Sequence, residues 1–459
     1  MSSPSQAPLT LKEKVGYGLG DTASNIFFFG VNAWIFFYYV EVCKIPPATV
    51  GTLLLLPRLW DAITDPLMGA LADRTRTRFG TYRPYLLWIA VPFGVFGYLT
   101  FANPDLDASG KLIYAYVTYI ALMTAYTAIN VPYSALMGVM TPVPAERTKL
   151  ATFRFVGAFS GQLIISMAFL PLVLLLGDKD KGVGFPRAMA VMAVIATIMF
   201  LATFMLTRER VKPPARSNDL LGDFKALIGN KPWVIMVIAA ILTLSSAAVR
   251  WTITPQYLKY YFGVGDEPFF WFLDKISFVQ TTGSLAFIAG VFLTGFFSRK
   301  FGKRNSLMGL TVINGFLVLS LFLIPRDGYM TLVVMNVIGN ILAGPTPALV
   351  WAIYTDVADY SEWKSGRRVT GLAFSAAMFA QKLGISIGGS VCGWLLGSVG
   401  FDPEKPPSEE IIQSFRTIAC ILPGALAILN GVVLIWYRLS DAEVEKIALE
   451  LEERRKSEE

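Results

Sequence analysis

The run Trp60-Asp61-Ala62-Ile63-Thr64-Asp65-Pro66-Leu67-Met68-Gly69 decides how the rest of the chain is read. Its two aspartates stand inside an apolar stretch over about residues 48–72, long enough to cross roughly 30 Å of hydrocarbon at 1.5 Å per residue. Spaced four apart, they share one helical face. Ionisable groups in a membrane span are costly and by default mark a functional cavity. Two ionised carboxylates this close in low dielectric repel, so a shared proton, a bound cation or a fixed base must compensate. Pro66 has no N–H, so the carbonyl of Ala62, one turn back, loses its helical partner and becomes a candidate oxygen ligand. Thr64 and Thr127 are candidate hydroxyl ligands. The competing reading is a static salt bridge to Arg58 or another buried base.

The same kind of run recurs along the chain. Eleven more apolar stretches are expected at about 15–40, 84–103, 112–140, 150–177, 186–207, 232–262, 276–298, 305–324, 328–355, 369–398 and 411–437. None alternates in polarity as a barrel strand does. The expectation is an all-α membrane protein of twelve transmembrane helices. Composition agrees, with 54% hydrophobic and only 16% charged residues where a soluble domain carries about a quarter. The net charge of +7 is spread between apolar spans rather than gathered in one basic patch, which argues against nucleic acid. The chain has no histidine, so Ser-His-Asp, Cys-His and His-metal chemistry are excluded. Cys43, Cys392 and Cys420 lie far apart, without metal-ligand or disulfide spacing. No enzyme activity and no cofactor are expected. Residues 1–14 are polar and have no apolar core before the first span, so no cleavable signal peptide is expected there.

Lys and Arg gather in the termini and the even-numbered connections, notably Arg74, Arg76, Arg78 and Arg83, and Arg299, Lys300, Lys303 and Arg304. By the positive-inside rule both termini are expected in the cytoplasm. The two basic loops also repeat: Phe79-Gly80-Thr81-Tyr82-Arg83 is echoed by Phe301-Gly302-Lys303-Arg304. Pro132 followed by Arg147 is echoed by Pro347 followed by Arg368. Both copies share one orientation, a parallel six-plus-six repeat of the major facilitator kind. The expected organisation is a six-helix bundle over 1–207, a cytoplasmic middle loop over 208–231, a second bundle over 232–438 and a tail over 439–459. The middle loop is read as holding a short amphipathic helix after a cap at Asn218-Asp219. The tail is read as a solvated, charged helix opened by a capping box of Ser440 and Glu443.

Four bases fall within spans: Arg58, Arg154, Arg250 and Lys382. Arg154 and Lys382 occupy equivalent places in the two halves. They either neutralise Asp61 and Asp65 or donate to a substrate. Arg250 has no obvious acidic partner at its depth and could meet an anionic group. Asp21 and Asn25 share one face of the first helix, and Asn130 precedes Pro132. Asparagine offers both donor and acceptor to sugar hydroxyls, but is also a common helix-to-helix bond in membranes. Tyr126, Tyr133, Trp351 and Gln381 are candidate cavity liners. Asp73, Arg74, Arg78, Asp356 and Asp359 are candidate cytoplasmic gate contacts.

Together with Asp73-Arg74-Thr75-Arg76-Thr77-Arg78-Phe79-Gly80 and Arg83-Pro84, the helix 2 run resembles the glycoside–pentoside–hexuronide:cation symporters, whose best-known member is the melibiose permease. Gly18-Leu19-Gly20-Asp21, Asn130-Val131-Pro132-Tyr133 and Lys382-Leu383-Gly384 fit the same family, over about residues 12–450. The resemblance implies that Asp61 and Asp65 carry the coupling cation, Na⁺ or H⁺, with Thr127 as a further ligand. It implies that Asn25, Asn130 and Arg154 face the sugar, that Lys382 lies near the cation, and that two halves rock about a central site. The chain departs from the melibiose permease where Asn25 and Asn130 replace aspartates, and where Ser134 and Pro347 replace aromatics. An anionic substrate such as a uronide is therefore weighed beside neutral glycosides. The expected function is secondary symport of a sugar or glycoside by alternating access, in the inner membrane, as a monomer. The alternative is a carrier of lysolipids or other amphiphiles on the same fold.

Overall fold

The computed structural model describes residues 8–178, 180–211, 229–365 and 370–458. The middle-loop helix expected after Asn218-Asp219 lies outside them, as do the side chains of Arg58 and Ala62. The helices of the first half are α1 (Leu11–Phe37), α2 (Pro47–Arg74), α3 (Arg83–Thr100), α4 (Ala108–Met140), α5 (Pro144–Gly177) and α6 (Lys181–Leu206). Then follow α7 (Lys231–Tyr261), α8 (Lys275–Val291), α9 (Thr294–Phe301), α10 (Lys303–Ser320), α11 (Tyr329–Ala343), α12 (Thr346–Ser365), α13 (Thr370–Ser398), α14 (Glu409–Val433) and α15 (Asp441–Glu458). Two short strands, Pro268–Phe270 and Leu273–Asp274, pair antiparallel between α7 and α8.

Helix starts follow the local chemistry. Thr10 and Glu13 form a full capping box at α1. Asp107, Asp180 and Asn230 accept from the first-turn amides of α4, α6 and α7. Prolines open α2 and α5, where the missing N–H costs nothing.

Among the described residues, eight helical segments are long and apolar enough to cross a membrane, and a ninth if α8 and α9, bent by 47°, count as one. The count of twelve read from the sequence is higher. Arg58, Asp61 and Asp65 lower the apolarity of α2, and Arg83 with its tyrosines and prolines lowers that of α3. The run expected at 328–355 is among the eight, within Tyr329–Lys364, although Gly344-Pro345 interrupts it between α11 and α12 because proline cannot continue the hydrogen-bond ladder.

The chain forms two compact units. The first lies within residues 1–215, with 264–281 and 396–407. In it α1 packs on α5 and α6, α3 on α4 and α6, and α2 on α4. The crossing of α1 and α5 is close: a Cβ on Gly157 would sit 2.2 Å from the carbonyl oxygen of Gly18. Small residues let membrane helices approach in this way.

The second unit lies within 216–263, 282–395 and 408–459. Here α14 packs on α7 and α10, and α10 packs on α11 and α12. The tail differs from the solvated appendage expected. The Ser440–Glu443 capping box is present, but Leu439, Ile447 and Leu451 are buried in one cluster with Met236, Tyr354 and Val357. Ile447 and Leu451 share one face of α15, with Leu439 just before its start, and burying that face outweighs the charge on the other. Trp363 donates to Glu450 of α15 at 2.6 Å.

Candidate functional site

In the first unit one polar stripe on α4 organises the charged residues. Thr124, Thr127, Asn130 and Ser134 recur at helical spacing and so fall on one face. Each reaches another helix or receives one. Trp60 of α2 donates to Thr124 at 3.1 Å. Thr127 donates to the carboxylate of Asp65 at 2.7 Å. Ser24 of α1 donates to Asn130 Oδ1 at 2.6 Å. Arg154 of α5 donates to Ser134 at 3.3 Å.

Asp61 and Asp65 lie one turn apart on α2. Asp61 is 1% exposed, and Asp65 is half-buried. A carboxylate this deep is retained only with compensation. Thr64, named as a ligand candidate, donates its hydroxyl to Trp60 O in its own helix at 3.2 Å.

Asp21 and Arg154 form an ion pair at 3.4 Å, with the aspartate 10% and the arginine 29% exposed. The guanidinium also lies 5.7 Å from the centre of the Tyr133 ring. That ring stacks on Tyr17 at 4.7 Å, and the Tyr133 hydroxyl donates to Tyr17 O at 2.6 Å. The base on α5 is thus matched by an acid on α1 and supported by two aromatic rings.

Asn25 and Asn130 both donate to carbonyls of their own helices, Asp21 O at 2.8 Å and Tyr126 O at 3.1 Å. Asn130 also ties α4 to α1 through Ser24. Tyr126 packs towards Phe93 and lines a small pocket with Phe28, Asn32 and Met123.

In the second unit Arg250 of α7 donates to Asn336 Oδ1 of α11 at 2.8 Å. Trp351 meets Tyr354 edge-on at 6.1 Å, and Gln381 and Lys382 of α13 are half-buried.

Asp73, Arg78 and Asp356, three of the residues named as gate contacts, have partners inside their own units. Tyr82 donates to Asp73 at 2.7 Å, and Arg78 stacks over Phe79. Arg74 is exposed and Asp359 half-buried. Asp356 is paired with Lys303.

Two acids that sequence reasoning passed over do more here. Glu209 accepts from the backbone N–H groups of Thr81, Tyr82 and Arg83 at 2.7–3.0 Å, capping α3. Asp441 accepts from Lys303 N at 3.0 Å, capping α10. Arg83 then donates to Phe204 O at 2.6 Å, and Arg304 to Ile435 O at 2.8 Å. Ser24, Ser134 and Tyr17 were also missed as site residues. Their signal is the i, i+3, i+4 spacing to Asp21, Thr127 and Asn130.

Residues 16–441 match the family described as MFS/sugar transport protein. The inner membrane symporter YicJ of Escherichia coli K12 is 35% identical, over 93% of this chain and 91% of its own. The isoprimeverose transporter of Lactiplantibacillus pentosus is 33% identical, over 95% and 90%. The glucuronide carrier protein homolog of E. coli K12 is 29% identical, over 98% and 97%. Among solved structures, a D-xylose-proton symporter superposes with a TM-score of 0.64 at 16% identity, over 93% of this chain and 96% of that one. At that identity the likeness speaks for the fold, which is the major facilitator fold. The apolar helices, the acids of α2 and these matches lead to one conclusion: the chain belongs to the MFS/sugar transport family, among its glycoside–pentoside–hexuronide:cation symporters, and is a multi-pass membrane transporter rather than an enzyme.

Proposed function

We propose that this protein takes up a sugar or glycoside together with Na⁺ or H⁺ by alternating access. The observation that carries the reading is the pair of carboxylates on α2, with Asp61 buried and Asp65 receiving the Thr127 hydroxyl. Two acids one turn apart in a membrane helix repel until a cation or proton joins them. Asp61, Asp65, Thr127 and the Ala62 carbonyl are the proposed cation ligands. The Asp21–Arg154 pair, two helices away along the α4 stripe, is the proposed sugar-facing element of this unit. Asn130 ties α4 to α1 beside it, and Asn25, bonded within α1, is proposed with Asn130 to face the sugar. Trp351, Gln381 and Lys382 are proposed to serve the substrate from the second unit. Binding of the cation relieves the repulsion at α2, so occupancy of one site changes the free energy of the other. The chain is proposed to act as a monomer in the inner membrane, with both termini in the cytoplasm. The sugar-transporting relatives support the substrate class, and the cation symporters among the relatives support coupling.

Calorimetric binding of a glycoside panel to purified protein, with and without Na⁺ at two pH values, tests this. A glycoside whose affinity rises with Na⁺ or with acid is the expected result. Binding of lysolipid, with no glycoside bound under any condition, would overturn it.

A further inference from the structure

Four aromatic residues in a row, Phe269, Phe270, Trp271 and Phe272, stand at the tip of the hairpin between α7 and α8. They are 42%, 59%, 84% and 40% exposed. Phe270 pairs with Leu273, so Trp271 opens a two-residue turn, and its φ is 57°. That position favours Gly, Asn or Asp, and a bulky side chain there is held against its backbone preference. Strain of this kind persists only where the surrounding structure fixes it, and it points to a use for the side chain displayed. Here the rest of the tip is fixed: Phe269 and Phe270 pack on Phe278 of α8 at 5.3 and 5.6 Å, and Trp271 meets Phe272 edge-on at 4.7 Å.

Most of the charge beside the tip is already answered. Asp274 is 1% exposed and accepts from the backbone N–H groups of Ile276 and Ser277 and from the Ser277 hydroxyl, at the start of α8. Asp266 is paired with Lys181 at 2.8 Å. The Lys275 ammonium lies 5.7 Å from the centre of the Phe269 ring. Glu267, ahead of the first strand, is exposed. Of the four side chains at the tip, only the Trp271 indole carries a polar atom. That leaves little to bond the hydroxyls of a sugar stacked there.

The contacts of the hairpin within the first unit give its depth. Lys181 is the first residue of α6, and its ammonium also lies 5.5 Å from the centre of the Phe37 ring at the end of α1. The strand Leu273–Asp274 packs on α5, whose last turn exposes Leu175. All three helices belong to apolar spans. The hairpin is therefore tied where those spans end, at the boundary between hydrocarbon and water. Tryptophan is enriched at that level, because its ring is apolar and its N–H can reach a headgroup. A contiguous aromatic patch left in water is the costly alternative.

We propose that the hairpin tip is a membrane anchor, with Phe269, Phe270, Trp271 and Phe272 seated in the interfacial layer of the lipid leaflet at that boundary. The occupant of the patch is lipid. The anchor rests on the chain being a membrane transporter and is independent of its substrate and ion.

The test places an environment-sensitive fluorophore on Trp271→Cys in the full-length protein in proteoliposomes. Cys43, Cys392 and Cys420 are buried, so the new thiol is the one expected to react. Glu404→Cys, at an exposed position of the same unit, is the water-facing control. A nitroxide attached near the lipid headgroup is expected to quench the label at 271 at least about threefold more than the label at 404, and aqueous iodide is expected to show the reverse order. Where Trp271→Cys fails to fold, Phe270→Cys carries the same label. Iodide quenching at 271 equal to that at 404, with no quenching from lipid, overturns the proposal. Protection of the label by a glycoside instead of by lipid overturns it in favour of a substrate platform. Cross-linking of one labelled position to its copy, without lipid quenching, overturns it in favour of a dimer contact.

Discussion

At Asp65 the decisive contact is one hydroxyl, that of Thr127, donated across from α4 at 2.7 Å. A hydrogen bond to a charged group contributes about 1.5–3 kcal/mol. Thr127→Val keeps the shape and removes the donor. It should raise the cation concentration for half-maximal uptake by roughly tenfold, and uptake titrated with Na⁺ or H⁺ reads this directly. The Asp21–Arg154 pair makes a second test. Removing one partner leaves a partly buried charge unanswered, so Asp21→Asn should lower thermal stability by about 1–3 kcal/mol, less than for a fully buried pair because the arginine keeps some solvent. Asp21→Asn combined with Arg154→Gln should recover part of that loss, as a double-mutant cycle on melting temperature would show. The acids of α2 stand out in the sequence because charge in an apolar run is rare. Their neighbours do not. Serine and tyrosine are ordinary in membrane helices, and spacing within one helix cannot say that Ser24 will meet Asn130 or that Ser134 will meet Arg154.

At the scale of elements, the two basic loops share one construction. Gly80 and Gly302 both have positive φ, 112° and 79°. Each precedes a helix whose first amides are capped by a carboxylate from further along the chain, Glu209 for α3 and Asp441 for α10. A Cβ at either glycine would come within 2.5 Å of that carboxylate. Gly80→Ala and Gly302→Ala should each destabilise the protein by about 1 kcal/mol or more, through backbone strain and loss of the cap together. Glu209→Gln should cost less, since an amide oxygen still accepts. Thermal melts of the purified protein give the order. The echo of Phe-Gly and Arg in the two loops was legible in the sequence. The caps were not, because Glu209 sits in a run that reads as a charged linker and Asp441 opens what reads as a free tail. The tail carries its own pH dependence. The Ser440 backbone N–H and hydroxyl hold the Glu443 carboxyl below its ordinary 4.5. That stabilisation is full above the ordinary value and is lost as pH falls through the lowered one. Trp363, which donates to Glu450 on α15, should report the loosening by fluorescence, and Ser440→Ala should weaken its pH dependence.

For the whole molecule, the class of fold is written in the long apolar runs, because a membrane demands them of every crossing helix. What the runs do not show is where a helix bends or breaks, as at Gly344-Pro345, or that an apolar face on α15 joins the core of the second unit. Nor do they show which base keeps a resident counter-ion, since Arg154 and Arg250 look alike in sequence and differ only in what the neighbouring helices present to them. The acids of α2 are proposed to couple a cation to sugar movement. Proteoliposomes holding wild type or Asp65→Asn test it most directly, with equilibrium exchange of labelled glycoside and gradient-driven accumulation measured on the same preparation. Asp65→Asn is expected to keep exchange and lose accumulation under both Na⁺ and H⁺ gradients. Accumulation that persists at the wild-type level in Asp65→Asn would contradict it.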